Sequence, residues 1–257
     1  LIFEFSLFDS DMIVGLGAPI HAVVGLMAFY SSSKLAIETK PLTKIPFEEK
    51  LETGISEIAN ILKGGIPYPS SILLLGVVGS GKTGIFLKLS RYRLEKGDAI
   101  VFICTNNTPE NYRIMMKNLG FDPNPFEEKS SLIFIDAYSK EFGIESKEKY
   151  LTSMMPYDII IAFLKAIEEA KGNKKIIIIH DLTNILDIYG VKEGLMFLRN
   201  IVAKTREAKV TLLVSLNPQA FPPAVLALAQ EAVDGTIELE ARGKIKYRGG
   251  VFKWQIS

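Results

Sequence analysis

Five apolar runs punctuate the chain: "SILLLG" ending at Gly76, "AIVFIC" at Cys104, "LIFID" at Asp136, "IIIIH" at His180 and "VTLLVSL" at Leu216. Short runs of β-formers without polar alternation fit strands buried on both faces, as in a parallel sheet. Between them, "KTGIFLKLSRYRLEKG", "PENYRIMMKNLG", "YDIIIAFLKAIEEAKG", "KEGLMFLRNIVAKTREA" and "PAVLALAQEA" repeat apolar residues at helical spacing. Strand and helix therefore alternate, which predicts a doubly wound α/β domain. The Met115–Met116 pair and the Leu/Phe stripe around Met196 read as packing. After Ala232 the period falls to two in "GTIELEARGKIKYRGGVFKWQI", with Gly turns, and predicts a β meander. Such a tail argues against a small nucleotide kinase, which would end on α/β units.

The N-terminal pattern differs. Met12 to Tyr30 is a run of 19 residues without a formal charge, and as a helix it would cover ~28 Å, close to the apolar thickness of a bilayer. Asp9 and Asp11 precede it and Lys34, Lys40 and Lys44 follow, so a spanning helix would leave the rest of the chain in the cytoplasm. Pro19, His21 and three glycines fit a buried soluble segment as well, which would make the protein a soluble cytoplasmic one. Residues 31–47, with "SSSK" and "KPLTKIP", read as a linker. The expected organisation is an apolar, membrane-spanning segment over 1–30, a linker over 31–47 and one nucleotide-binding domain over 48–257. Leu1 in place of Met suggests an excised piece of a longer protein.

The strand ending at Gly76 runs into "GVVGSGKT", a G-x-x-x-x-G-K-T loop followed by a helix. Strand, glycine-rich turn and helix stand in the order that phosphate binding requires. Gly76, Gly79, Ser80 and Gly81 let the backbone bend so that its N–H groups converge on phosphate oxygens. Lys82 is expected to reach the β/γ-phosphates and the Thr83 hydroxyl to bind Mg²⁺, so ATP and Mg²⁺ are the expected ligands.

Composition narrows the classes. Thirty Lys and Arg balance 29 Asp and Glu, so no overall field draws the chain to nucleic acid, and a recombinase-like role is disfavoured. Cys104, alone of its kind, rules out an internal disulfide framework and reads as a small buried hydrophobe.

Taken in order, "TGISEIANILKGGIPYPSSILLLGVVGSGKT", "TPENYRIMMKNLGFD" and "KYRGG" resemble the KaiC-like branch of the RecA-type ATPases over roughly Phe47 to the C-terminus. The first stretch brings Thr53, Gly54, Leu62, Gly64, Gly65, Ile66 and Pro67 into the branch's register. The C-terminal half, from "IIIIHDLTNILDIYGVKEGLMFLRNI" through "LLVSLNPQAF", is more loosely similar to a family of archaeal membrane-associated proteins of unknown function. The resemblance implies a RecA-like core with a mostly parallel sheet, ATP with Mg²⁺, and a homo-oligomeric ring with ATP between subunits. By that analogy Lys246 and Arg248 would reach the nucleotide of a neighbouring protomer; the alternative is a solvated hairpin.

Two places depart from the branch. Where it carries a pair of glutamates before T-P, "CTNNTPE" has Asn106 and Asn107, and an amide cannot act as a general base near neutral pH. Glu110, one helical turn on, is the substitute candidate. Aligning "LT" after the isoleucine run puts His180 on the position of the metal-holding Asp and Asp181 one residue later. Neutral imidazole is a poor partner for hard Mg²⁺, so Asp181 is the expected metal-shell residue, provided the strand has ended there. Asn217 sits where a polar γ-phosphate sensor is expected, or in a simple turn. Intact phosphate binding beside altered catalytic positions predicts an ATP-binding regulatory module with weak or absent hydrolysis; an active ATPase using another carboxylate is the alternative.

Overall fold

The computed structural model describes residues 49–239 and 245–249, with backbone alone for 247–249. The apolar segment 12–30, the linker after it and part of the expected meander lie outside these residues. Among the described residues no helix is long and apolar enough to cross a membrane.

In chain order the elements are β1 (Glu49–Leu51), α1 (Ser56–Ile61), β2 (Ile66–Tyr68), β3 (Ser71–Gly76), α2 (Lys82–Glu95), β4 (Ala99–Cys104), α3 (Pro109–Asn118), α4 (Asn124–Glu128), β5 (Leu132–Asp136), β6 (Tyr150–Leu151), α5 (Pro156–Glu169), β7 (Lys175–His180), α6 (Leu182–Tyr189), α7 (Val191–Glu207), β8 (Thr211–Leu216), α8 (Pro223–Glu231), β9 (Gly235–Leu239) and β10 (Ile245–Gly249). The five apolar runs are the strands β3, β4, β5, β7 and β8. They lie side by side in an eight-stranded sheet of order β10-β9-β3-β8-β7-β4-β5-β6. Neighbouring strands are parallel except β9 and β10, which pair antiparallel and form the described part of the meander. This is the mostly parallel α/β architecture expected of a RecA-like core. β1 and β2 form a separate antiparallel pair.

Because side chains alternate along a strand, each central strand contributes to two cores. Leu73, Leu75, Val101, Ile103, Ile177, Ile179 and Val214 pack with residues of α5, α6, α7 and α8 on one face. Ile72, Leu74, Ile100, Phe102, Cys104, Ile176, Ile178 and Leu213 pack with α1, α2 and α3 on the other. Each such aliphatic side chain, removed from water, stabilises the fold by roughly 1.5–3 kcal/mol. Cys104 is fully buried, as its setting suggested, and burial pushes its thiol well above the ordinary value. The same parity fixes the site: counting by twos from Ile176 and Ile178 places His180 on the α2 face, and counting from Leu213 places Ser215 there too.

The C-terminal end of α2 is fastened by a buried ion pair. Arg93 Nε donates to Asp98 Oδ2 at 2.6 Å and Arg93 Nη1 to the Glu52 carbonyl at 3.2 Å, while Asp98 Oδ1 accepts from the Lys174 amide at 3.1 Å. One pair thus holds α2, the start of β4, the segment after β1 and the approach to β7.

Candidate phosphate-binding site

The site lies at the C-terminal ends of the parallel strands, where crevices in open α/β sheets open. β3 delivers the chain at Gly76, and the loop turns through Gly79 at φ +79° and Gly81 at φ +93°, a region side chains disfavour. A Cβ on Gly76 would run into the Ser80 side chain. Gly81 is the N-cap of α2; no side chain caps this helix and its first turn holds no acid. Its leading amides are therefore left without a side-chain partner, the arrangement that favours an anion. Lys82 is buried and folds over the loop, its Nζ donating to the Gly76 carbonyl at 2.5 Å and the Val77 carbonyl at 3.3 Å. Burial lowers its pKa, and the Asp181 carboxylate acts against that shift. The Ser80 hydroxyl is buried with no hydrogen-bond partner in the protein.

Behind the loop, the Thr83 Oγ1 lies 2.8 Å from His180 Nε2, and His180 Nδ1 lies 2.8 Å from Ser215 Oγ. The imidazole is therefore pinned at both nitrogens, linking α2, β7 and β8. Phe86 meets it edge-on at 5.4 Å between ring centroids, and Tyr112 stands 6.0 Å away. Burial, reinforced by the Lys82 charge, pushes His180 down to about 3.

Asp181, the expected metal-shell residue, stands just past the end of β7, as that expectation required. β7 runs through His180, so the next residue leaves the α2 face, and Asp181 becomes the N-cap of α6 with its Oδ1 accepting from the Thr183 amide at 2.8 Å. Burial raises its pKa, against the hydrogen bond from Thr183 and the charge of Lys82. The Thr105 hydroxyl donates to the Asp181 carbonyl at 2.7 Å. Of the two residues expected to hold Mg²⁺, Thr83 is hydrogen-bonded to an imidazole and Asp181 to a helix terminus. Among the described residues no group of three or more His, Cys, Asp or Glu side chains could hold a metal ion. Mg²⁺ beside a nucleotide takes one or two protein oxygens together with phosphates and water, and here the group facing Thr83 is an imidazole in place of a carboxylate, which does not fit that ion in the RecA manner.

The two asparagines are engaged locally. Asn106 Oδ1 accepts from the Tyr112 hydroxyl. Asn107 Oδ1 accepts from the Thr108 amide at 2.9 Å and from Asn111 Nδ2 at 2.6 Å, bracing the start of α3, whose N-cap is Thr108. Glu110 is exposed and pairs with Arg113 at 3.5 Å. Asn217 closes its own turn: its Oδ1 accepts from the Gln219 amide at 3.1 Å, and its amide donates to the Thr183 hydroxyl at 3.0 Å. Lys246 and Arg248 lie on β10, opposite Glu238 and Thr236 of β9, with Lys246 exposed. That strand is two removed from β3 in the sheet. Sequence reasoning missed Ser215 and Tyr112. Ser215 stands two residues before Asn217 in a strand, so alternation gives its face, while the strand it neighbours is set by the sheet order.

The family model described as ATPase: KaiC matches residues 51–248. A UPF0273 protein of Pyrococcus horikoshii is 26% identical over 188 residues, covering 73% of this chain and 64% of that relative. This chain therefore spans slightly less than two thirds of that relative's length. The archaeal flagellar ATP-binding protein FlaH of Sulfolobus acidocaldarius is 26% identical over 193 residues, covering 74% of this chain and 79% of the relative. Among solved structures, a KaiC-like protein of Pyrococcus horikoshii superposes with a TM-score of 0.64 at 16% identity, covering 79% of this chain and 89% of the other.

Proposed function

Because the chain belongs to the KaiC family of ATPases, we propose that it is an ATP-binding regulatory module that holds its nucleotide and hydrolyses it slowly or not at all. The observation that carries this is a contrast within one site. The loop from Gly76 to Thr83 keeps its glycines, its lysine and an uncapped helix start, whereas the catalytic positions carry the amides Asn106 and Asn107, already occupied by Tyr112, Thr108 and Asn111. Without a carboxylate to orient or deprotonate water, general-base assistance worth about 10²–10⁴ in rate is missing. Glu110, tied to Arg113 on an exposed helical turn, is a poor replacement. The relative named as an ATP-binding protein supports the nucleotide-binding part of this reading.

On this reading nucleotide occupancy sets a conformation, an assembly or a partner's access. A homo-oligomeric ring, with Lys246 and Arg248 reaching a neighbouring protomer's nucleotide, belongs to the proposal. So does tethering of the domain at the cytoplasmic face of a membrane by residues 12–30. The test is an ATP titration followed by phosphate release, with Lys82→Ala as control. Saturable binding lost in the variant is expected, with turnover at least ~10-fold below the ~1 s⁻¹ at the low end of ordinary enzymes. Brisk turnover that vanishes in Lys82→Ala would instead establish an active ATPase.

A further inference from the structure

We propose that this site takes a nucleoside triphosphate without a divalent cation. The inference rests on the ATP-binding reading above and goes beyond it by specifying the form of the ligand. Its basis is the residue that faces Thr83: the side chain 2.8 Å from the Thr83 hydroxyl is the imidazole of His180, at the end of β7, where the family resemblance calls for an aspartate.

That exchange has two electrostatic effects of the same sign. A carboxylate beside Thr83 would draw a cation into the site, both by its charge and by holding the cation's water ligands. It would also repel a metal-free polyphosphate strongly, since like charges within a buried site interact through a low effective dielectric. Imidazole carries no negative charge in either protonation state, so the attraction for the cation and the repulsion of the bare phosphate disappear together. The remaining nearby carboxylate, Asp181, is directed at the Thr183 amide, within the α6 cap. Facing the loop there remain the Lys82 ammonium and the uncapped amides of α2, all favourable to an anion.

The hydrogen bonds supply a stand-in for the missing ion. With the proton on Nε2, His180 donates to Thr83 Oγ1 while Nδ1 accepts from the Ser215 hydroxyl. Thr83 is then left with its own O–H as a donor, which a phosphate oxygen can accept directly. A bare phosphate selects this tautomer. Ser215, able to donate or accept, permits it.

The experiment is a fluorescent ATP-analogue titration of the full chain, once with excess Mg²⁺ and once with EDTA. Dissociation constants within about threefold of each other are expected. A weakening of about tenfold or more on chelation would overturn the inference while leaving ATP binding intact. Binding in neither buffer would overturn the ATP-binding reading and this inference with it. His180→Asp should acquire a Mg²⁺ dependence of about tenfold or more, whereas His180→Asn, neutral and polar, should not. If His180→Asp fails to fold by circular dichroism, His180→Glu, whose longer chain can carry the same charge to the place of Nε2 beside Thr83, takes its place and is read in the same way. A folded aspartate variant that binds equally well in both buffers would show that charge at position 180 does not set the metal requirement, and would overturn the inference.

Discussion

His180 sits among Thr83, Ser215, Phe86, Tyr112 and the ammonium of Lys82, and protonating it would set a second buried cation beside the first. The unfolded chain takes up this proton near 6.5, the folded chain only near 3. More protons on the unfolded state mean that acid favours unfolding. His180's contribution to stability is thus full above pH 6.5 and is lost as pH falls toward 3, at up to ~1.4 kcal/mol per pH unit. Asp181, whose pKa burial holds above the ordinary 3.8, binds its proton earlier in the folded state and offsets part of that loss at the acid end. Urea unfolding of wild type and His180→Gln above and below pH 6.5 should give a steeper acid loss for wild type. Equal slopes would contradict the neutral, buried imidazole.

Single elements are held by contacts that sequence patterns do not advertise. The Arg93–Asp98 pair has side chains 8% and 2% exposed, and breaking a buried pair strands the surviving charge. Asp98→Ala is expected to cost about 3–5 kcal/mol, read as a lower urea midpoint. A change below about 1 kcal/mol, typical of surface pairs, would refute this account. The five central strands were legible because burial on both faces leaves an unbroken apolar run. β6, of two residues, and the β1–β2 pair were not, since so short a segment has no period. α6 was also missed, although Asp181 as N-cap and Gly190 after Tyr189 frame it. Asp181 had been read for its charge, and in the fold its acceptor oxygen serves the helix. Asp is among the strongest N-cap residues, so the signal for this helix start was present in the sequence.

At the scale of the whole molecule, the decisive fact is strand order, which no local pattern encodes. β8 lies between β3, which carries the phosphate loop, and β7, which carries His180. Ser71 aligns with Leu212, and Ile176 with Thr211. Ser215 consequently reaches the imidazole from a strand 35 residues further along the chain. Phe47–Ser257 forms one compact unit, and this part, produced without the preceding residues, should unfold in a single transition and keep ATP binding. In vesicle flotation the full chain should rise with lipid and the shortened chain should not. Co-flotation of both would remove residues 12–30 from the role of anchor.

The doubly pinned imidazole also carries load between elements. A carboxylate at position 180 ends one bond short of the ring's far nitrogen, so it can still serve the Ser215 hydroxyl that Nδ1 holds but not Thr83, which Nε2 reaches. The ring is therefore a strut between the phosphate loop and the sheet, and any shorter side chain there uncouples α2 from β7 while β7 and β8 stay joined.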